Sequence, residues 1–525
     1  MSGFNFVRRS LTYGLAIYSG EVISMKCRLV CCLLVMANLL LVSIRDLAAE
    51  AARSKKPNIV LIISDDLSWG DLGCYGQKEI LTPNIDRLAN EGMRFTNAYA
   101  GNSVCAPSRS CLMQGLHPGH ARVRGNSYKA YREGLAKDDV TVAEILKDAG
   151  YATGLFGKWG LGLMGQPDAI PNRKGFDQFF GYLNQRKAHS YFPPFLWDNT
   201  TKVNYPAHAG HEHHAQSKYD ADGLVMPHGI AVPKKAKFSY NEIHARSLDF
   251  VRDHKDEPFF LYLAHTLPHG PAIAPKLGPY RDKPWAIGHK EWAAMVTRLD
   301  EGVGDVLALL TELGIDENTI VLFASDNGHS THGYDRDRSA TPIGKHFNSF
   351  GPTRGRKGDS YDGAFRVPAV ARWPGRIKPG TVSDHSWAFW DFLPTAAELV
   401  GVADEALPKT DGVSILPTLL GNSSEQQPHE FLYWEYNQNQ AVRTGDWFAH
   451  RKTGGQVEIY DLNSDPQQQL NLAAKHPELV EKIGRWMDDS HSPSDVWPSP
   501  GESTKQFQTR LRDAGIRPRQ VNIDG

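Results

Sequence analysis

Two pairs of oxygen-bearing side chains each follow an apolar, β-branched run that predicts a buried strand. The first pair is Asp65 and Asp66, and the second is Asp326 and Asn327. Ligands bind at the carboxyl ends of strands in an open parallel sheet, so neighbouring strands would bring the four side chains together. Carboxylate and amide oxygens favour Ca²⁺ or Mg²⁺ over zinc. Either pair alone could also be a helix cap or a strand-end turn.

The pentapeptide Cys-Ala-Pro-Ser-Arg begins at Cys105. Proline fits the first turn of a helix, so Pro107 predicts that Cys105 lies at a helix N-terminus, where the dipole favours negative charge. Arg109, one turn later, can return to the same end of the helix. The alternative is a structural cysteine paired with Cys74 or Cys111.

The elements that must position these residues alternate between strand and helix patterns. Nearly continuous β-branched runs are typical of strands buried on both faces of a sheet, and they occur at residues 58–64, 259–264, 319–325 and 367–372. Helical patterns begin after Thr82 and cover residues 142–149 and 291–313. This alternation predicts an α/β fold with a large mixed, mostly parallel central sheet flanked by helices.

The C-terminal part of the chain has a different pattern. Short strand-like pieces near residues 431–436, 441–443 and 457–460 precede a helical pattern at 477–487. They predict a smaller subdomain with an antiparallel sheet, residues 407–525, after a larger domain, residues 52–406. Within the larger domain, the aromatic, Pro- and His-rich stretch 185–237 predicts a long surface excursion of the kind that shapes a binding site.

The N-terminal residues 1–51 read as an export signal. A basic segment from Met25, an apolar run at 29–44 and an Ala-x-Ala pattern at 49–51 follow the order of a cleaved signal, and translation could start at Met25. The alternative is an N-terminal membrane anchor. No later segment is long and apolar enough to insert stably in a membrane. The expected location is therefore outside the cytoplasm, periplasmic or secreted.

The overall composition excludes several protein classes. Among 525 residues, 41% are hydrophobic and 22% are charged, which excludes a disordered chain. The 58 basic and 59 acidic residues give a net charge of −1, so nucleic acid is not an expected partner. Six cysteines exclude a disulfide-dense scaffold. The odd number left after signal removal predicts at least one thiol with a role other than pairing.

The two oxygen-bearing pairs and the Cys105 pentapeptide occur together with further motifs in order along the chain. In this combination the sequence resembles the type I, formylglycine-dependent sulfatases of the alkaline phosphatase superfamily. The resemblance covers nearly the whole chain after the signal, and many ordered motifs are stronger evidence than one. The further motifs are Thr82-Pro-Asn-Ile-Asp86, Gly115-Leu-His-Pro-Gly119, Gly157-Lys-Trp159, Leu267-Pro-His269, Ser325-Asp-Asn-Gly328, Arg356-Lys-Gly358, Arg366-Val-Pro368, Arg443-Thr-Gly-Asp-Trp447, Ile459-Tyr-Asp-Leu462, Asp465-Pro466 and Asn471-Leu-Ala473.

The resemblance implies a sulfuric ester hydrolase in which Cys105 is oxidised after translation to formylglycine by a formylglycine-generating enzyme. One hydroxyl of the hydrated aldehyde attacks the sulfur of a sulfate ester and displaces the alcohol, and the second then expels sulfate and regenerates the aldehyde. The implied ligands of one Ca²⁺ are residue 105 with Asp65, Asp66, Asp326 and Asn327. The other implied catalytic residues are Arg109, which stabilises the diol, and Lys158, His269 and Lys357, which bind sulfate and the leaving oxygen.

The chain departs from the family pattern at Gly160, where the family usually has a histidine that contacts the diol and is a candidate base for sulfate release. We hypothesise that His189 enters the site from the excursion and replaces that histidine. The alternative is that His189 lies at the rim and contacts substrate.

The predicted substrate is a sulfated small molecule or glycan, with a sulfated carbohydrate favoured. Aromatic faces and polar side chains suit a sugar ring and its hydroxyls, and the excursion supplies Tyr182, Gln185, Arg186, Tyr191, Phe192, Trp197 and Asp198. One alternative is a phosphodiester or phosphonate hydrolase of the same superfamily, although the neutral Asn327 favours one cation over two. Another is a non-catalytic protein that binds sulfated glycans.

Overall fold

The computed structural model describes residues 56–126, 133–211, 217–330 and 341–515. The largest element in them is a sheet of ten strands, called the large sheet below. From one edge to the other, its strands are Thr381–Ser383, Met93–Phe95, Ala369–Arg372, Thr319–Ser325, Asn58–Ser64, Phe259–Ala264, Ala152–Lys158, Gln178–Tyr182, Phe195–Asp198 and Thr201–Asn204.

The five strands from Thr319–Ser325 to Gln178–Tyr182 pair in parallel, and antiparallel pairs lie on both sides of them. Alternate residues of the central strand Asn58–Ser64 enter two hydrophobic cores, with Val60 in one and Leu61 in the other. Because both faces are covered, the strand needs apolar residues at every position, and its sequence has them.

Helices cover both faces of the large sheet. Ser239–Asp253 and Ile287–Glu312 pack on one core, whereas Val142–Asp148 and Phe392–Leu399 pack on the other. The other α-helices in the described ranges are Pro83–Asn90, Cys105–Gln114, Ile343–His346, Asp362–Phe365, Leu416–Leu419, Pro477–Asp489 and Thr504–Asp513. The predicted fold, a mostly parallel sheet flanked by helices, is confirmed.

A second, antiparallel sheet lies in the C-terminal part of the chain, as predicted, and is called the small sheet below. Its four strands are Leu432–Tyr436, Asn439–Thr444, Trp447–Arg451 and Val457–Asp461. The strand Trp447–Arg451, which follows a two-residue turn, was not predicted; only its first residue lies in a quoted motif. Two-stranded sheets pair Ala98–Tyr99 with Trp387–Ala388 and Lys218–Tyr219 with Val225–Met226.

The described residues from position 57 onward form one compact unit that contains both sheets. The predicted signal at 1–51 lies outside the described residues. No helix within the described ranges combines the length and the apolar character needed to cross a bilayer.

Candidate active site

Two neighbouring parallel strands bring the predicted oxygen donors together at the carboxyl edge of the large sheet. Ser64 and Ser325 are paired in register, so the side chains after them meet. The backbone N–H of Asp66 donates to Asp326 Oδ1 at 3.3 Å, and Asn327 Nδ2 donates to Asp66 Oδ1 at 2.7 Å. Asp66 has a φ of 69°. Such left-handed backbone is uncommon outside glycine and clusters at functional sites.

Two lysines pair with the first two carboxylates. Lys158, the last residue of its strand, places Nζ 2.5 Å from Asp65 Oδ2. Lys357 places Nζ 2.6 Å from Asp66 Oδ1. Both lysines are largely or fully buried, so each ion pair has little water to compete with it.

Arg109 pairs with the third carboxylate and is almost completely buried. Its Nε and Nη2 donate to Asp326 Oδ2 at 3.0 and 2.9 Å. Its Nη1 donates to the carbonyl oxygen of Lys158 at 3.2 Å and to the Tyr262 hydroxyl at 3.4 Å. The guanidinium therefore ties the cysteine helix, Cys105–Gln114, to two strand ends.

The charges of the site determine the protonation of its carboxylates. Burial opposes ionisation of Asp65, but the charge of Lys158 and of the other nearby basic groups holds the pKa of Asp65 well below its ordinary value. For Asp326, burial dominates and, with the charge of Asp65, raises the pKa to about 6. These carboxylates are therefore mainly ionised at neutral pH and available to a cation.

The site has the donor atoms that a hard divalent cation requires. Asn327 Oδ1 is buried and accepts no hydrogen bond from any described residue. One ligand-type atom from each of Asp65, Asp66, Cys105 and His269 lies within 4.8 Å of the other three. Carboxylate oxygens with an unpartnered amide oxygen fit Ca²⁺, and a divalent cation would satisfy that oxygen.

Cys105 is the first residue of the cysteine helix, and Pro107 lies in its first turn as predicted. Its Sγ lies 3.4 Å from Asp65 Oδ1 and 3.1 Å from Lys357 Nζ. All three cysteines in the described residues are free, so the alternative of a pairing with Cys74 or Cys111 is wrong. Burial, followed by the charge of Asp65, raises the pKa of Cys105 to about 12. An unmodified thiol would thus stay protonated and would be a poor nucleophile.

Two stacked histidines lie beside these carboxylates. His269 Nδ1 bonds to the carbonyl oxygen of Gly270 at 2.6 Å, which leaves Nε2 3.5 Å from Asp66 Oδ2. The His189 ring stacks on that of His269, with centroids 3.8 Å apart and planes at 19°. Burial lowers the pKa of both imidazoles, to about 4 for His269, so both are neutral at pH 7. The structure thus brings His189 next to the site.

The glutamine at position 185 occupies the space beside Gly160. Gly160 has a φ of +77°, and a Cβ built on it would lie 2.4 Å from Gln185 Oε1. Both polar atoms of the Gln185 amide are buried without a hydrogen-bond partner among the described residues. From the sequence, Gln185 is predicted only to contact the substrate, because nothing in the sequence shows that its side chain reaches Gly160.

The four aromatic side chains expected at the substrate are buried in the cores of the large sheet. Tyr182, Tyr191 and Phe192 belong to one core of the large sheet and Trp197 to the other. The Tyr191 hydroxyl donates to the carbonyl oxygen of His269 at 2.6 Å, so this ring supports the site from behind. These four aromatic side chains therefore contribute to the two hydrophobic cores and not to a surface that contacts substrate.

A comparison with protein families identifies the family to which the chain belongs. The family model described as Sulfatase matches residues 57–402, which include every predicted catalytic and metal-binding position. The chain belongs to the sulfatase family. A second model, described as N-sulphoglucosamine sulphohydrolase, C-terminal, matches residues 357–490 of this sulfatase.

Relatives cover most of the chain. It is 32% identical to human arylsulfatase A over 487 residues, which are 83% of this chain and 88% of the relative. It is 33% identical to canine N-acetylgalactosamine-6-sulfatase over 425 residues, 78% of this chain and 74% of the relative. The crystal structure of Ps i-CgsB superposes with a TM-score of 0.69 at 26% identity, covering 89% of this chain and 98% of that one. The resemblance seen in the motifs is confirmed, and the protein is a sulfuric ester hydrolase.

Proposed function

We propose that this sulfatase hydrolyses the sulfate ester of a carbohydrate, with a formylglycine made from Cys105 and one Ca²⁺. The observation that carries the proposal is the position of Cys105, whose sulfur lies between Asp65 and Lys357 at the sheet edge. A thiol with a pKa of about 12 would stay protonated and would be a poor nucleophile in this position. An oxygen nucleophile at the same position could attack the ester. The name of the N-acetylgalactosamine-6-sulfatase relative supports a carbohydrate substrate.

The residues that would hold Ca²⁺ are Asp65, Asp66, Asp326 and Asn327, with residue 105. When present, Ca²⁺ would supply positive charge for an ester oxygen, and formylglycine would supply the hydroxyl of a hydrated aldehyde. The three carboxylates are already balanced by Arg109, Lys158 and Lys357. A bound dication therefore gives the site a net positive charge, which favours an anionic ester.

The basic residues have separable roles in this proposal. Lys158 and Lys357 bind the sulfate oxygens, and Lys357 Nζ, 3.1 Å from the position of Sγ, also donates to the leaving oxygen. His269 would bind sulfate and the leaving oxygen through Nε2–H only in its protonated form, because its Nδ1–H already donates to the carbonyl oxygen of Gly270. Arg109 stabilises residue 105 through its fixed position at the start of the helix.

Substrate selectivity and metal dependence test the proposed function. We expect kcat/KM for 4-nitrophenyl sulfate to exceed that for 4-nitrophenyl phosphate by about a hundredfold or more, since the site has one cation position. EDTA should abolish the activity, and added Ca²⁺ should restore it. A mass spectrum of the peptide containing residue 105 should show the aldehyde. A higher rate for the phosphate ester would favour the phosphohydrolase alternative, and binding of sulfated sugar without turnover would favour the binding protein.

We also propose that His189 is the base for sulfate release in place of the histidine absent at Gly160. Its buried Nε2 has no hydrogen-bond partner among the described residues, and its ring contacts His269. His189→Ala should lower kcat by about 10²- to 10⁴-fold. His189→Phe, which keeps a stacking ring, should show the same loss, and Lys187→Ala in the same loop is the control. Wild-type kcat in either His189 variant would contradict the assignment.

We further propose that residues 52–406 form the catalytic domain and residues 407–525 the C-terminal subdomain. Residues 1–51 would direct export to the periplasm or the medium and be removed. A formylglycine-generating enzyme would act on Cys105 before folding buries it. N-terminal sequencing of the exported protein tests the cleavage.

A further inference from the structure

A short turn, residues 184–189, follows the strand Gln178–Tyr182 at the carboxyl edge of the large sheet. This strand pairs in parallel with the strand that ends at Lys158. Carbonyl oxygens at and just after the end of Gln178–Tyr182 accept from the backbone N–H groups of Trp159 and Gly160. The turn therefore lies beside the segment that carries Lys158.

Hydrogen bonds fix the conformation of this turn. Asn184 Oδ1 accepts from the backbone N–H of Arg186 at 2.8 Å, and the Asn184 carbonyl oxygen accepts from the N–H of Ala188 at 3.2 Å. The second of these bonds joins residues four apart, as in an α-helix. Side chains four apart on a helical turn lie on the same face, which applies to Gln185 and His189.

The position of His189 shows that this face of the turn is directed toward the active site. Its ring stacks on that of His269, with centroids 3.8 Å apart, and His269 Nε2 lies 3.5 Å from Asp66 Oδ2. Burial lowers the pKa of His189, and Lys158 and Asp65 also act on it electrostatically. Gln185 therefore shares a face with a residue that contacts the site.

The Gln185 side chain is a buried amide without a hydrogen bond. Its exposed fraction is 1%, and neither Oε1 nor Nε2 has a partner among the described residues. Burial of an amide is costly unless its hydrogen bonds are made, and buried polar groups in native proteins nearly always make them. Such an amide beside an active site is expected to bond to the ligand of that site.

A glycine at position 160 makes room for this amide. A Cβ built on Gly160 would overlap Oε1 of Gln185 and lie 3.6 Å from its Cδ. Any side chain at position 160 would therefore displace the amide. Because Gly160 lies two residues after Lys158, the amide lies beside the part of the chain that carries this lysine.

We propose that Gln185 binds the sulfate group of the ester, with Nε2 donating to a sulfate oxygen beside Lys158. An amide does not titrate, so it donates at every pH but cannot accept the proton that sulfate release requires. The turn would thus supply two separate groups, with Gln185 to hold the sulfate and His189 to take the proton. This inference rests on the proposed function, whose site supplies the sulfate position.

Binding of inorganic sulfate to an inactive protein tests the role of Gln185 without turnover. In Ca²⁺-loaded Cys105→Ala protein, calorimetry with sodium sulfate gives the Kd. Adding Gln185→Met keeps the length of the side chain and removes the amide. It should raise the Kd by about tenfold or more, as expected for the loss of a hydrogen bond to a charged group. Gln178→Met, at the other end of the same strand, is the matched control and should leave the Kd unchanged.

Thermal unfolding separates sulfate binding from a purely structural role. Replacement of an unpartnered amide by an apolar side chain of similar shape is close to neutral or stabilising. Without sulfate, Gln185→Met should therefore not lower Tm. Added sulfate should raise Tm less in this variant than in its Cys105→Ala parent, because the variant binds sulfate more weakly. A lower Tm together with an unchanged Kd would show that the amide is structural and would overturn the assignment.

The outcomes distinguish this assignment from the proposed function. In active protein, Gln185→Met should raise the Ki for inorganic sulfate, whereas His189→Ala should mainly lower kcat. An unchanged Kd in the Gln185 variant, or no binding of sulfate by its parent, would overturn the assignment. Turnover of 4-nitrophenyl sulfate by the wild type would then still support the proposed function. Sulfate binding that depends on Gln185 in a protein without turnover would overturn the proposed function and leave the assignment standing.

Discussion

Cys105→Ala is expected to lower the rate of sulfate ester hydrolysis by about 10⁴-fold or more. The substitution removes the thiol whose oxidation would give formylglycine, and no described cysteine can replace it, since Cys74 and Cys111 lie elsewhere. Lys357 loses its 3.1 Å contact with Sγ but keeps its 2.6 Å contact with Asp66. The charge balance of the site is therefore unchanged, and the variant should fold.

Cys111→Ala provides a matched control, because Cys111 lies in the same helix and is equally buried. Truncating either buried side chain to alanine should lower the free energy of unfolding by about 1 kcal/mol. Only the Cys105 variant should lose activity. Comparable activity in the two variants, or an active wild type whose residue 105 is still a thiol by mass spectrometry, would refute the formylglycine mechanism.

The sequence allowed the meeting of Asp65 and Asp66 with Asp326 and Asn327 to be predicted, because these oxygen-bearing side chains follow strand ends. Because the strands ending at Ser64 and Ser325 are parallel and in register, the residues that follow them lie side by side, independently of the conformation of the loops. Lys158 also ends a strand of the same sheet, but that strand was not predicted, and the sequence indicated Lys158 only through the Gly157-Lys-Trp159 motif of the family resemblance. The positions of the two pairs depend on sheet geometry, which strong apolar periodicity specifies.

Contacts made by long-range packing could not be predicted in this way. The aromatic residues of the excursion were expected at the substrate, but Tyr191 and Phe192 fill a core. Composition cannot distinguish an aromatic ring in a core from one that binds a sugar. Gln185 beside Gly160 and Trp497 beside Gly125 are contacts between distant segments without a periodic pattern, so only the structure shows them.

Arg109→Ala is expected to lower the free energy of unfolding by about 3–5 kcal/mol, measured by chemical denaturation in EDTA, because it leaves Asp326 as a buried charge without its partner. It also removes the donors to the Lys158 carbonyl oxygen and to Tyr262. Arg109→Lys should recover little, since one ammonium cannot replace the fork that spans these acceptors. Activity should be lost in both variants because residue 105 loses its support.

The pH dependence of the loss of stability in Arg109→Ala identifies the cause of that loss. Burial already raises the pKa of Asp326 to about 6, and without Arg109 that pKa should rise further. A carboxyl whose pKa is higher in the folded than in the unfolded state binds more protons when folded, so stability falls as pH rises between the two pKa values. Arg109→Ala should therefore cost less at about pH 5 than at about pH 8. In an Asp326→Asn background, which has no titrating group there, the added cost of Arg109→Ala should lose most of its pH dependence. A pH-independent cost in both backgrounds would show that lost packing, and not the unpaired carboxylate, destabilises the variant.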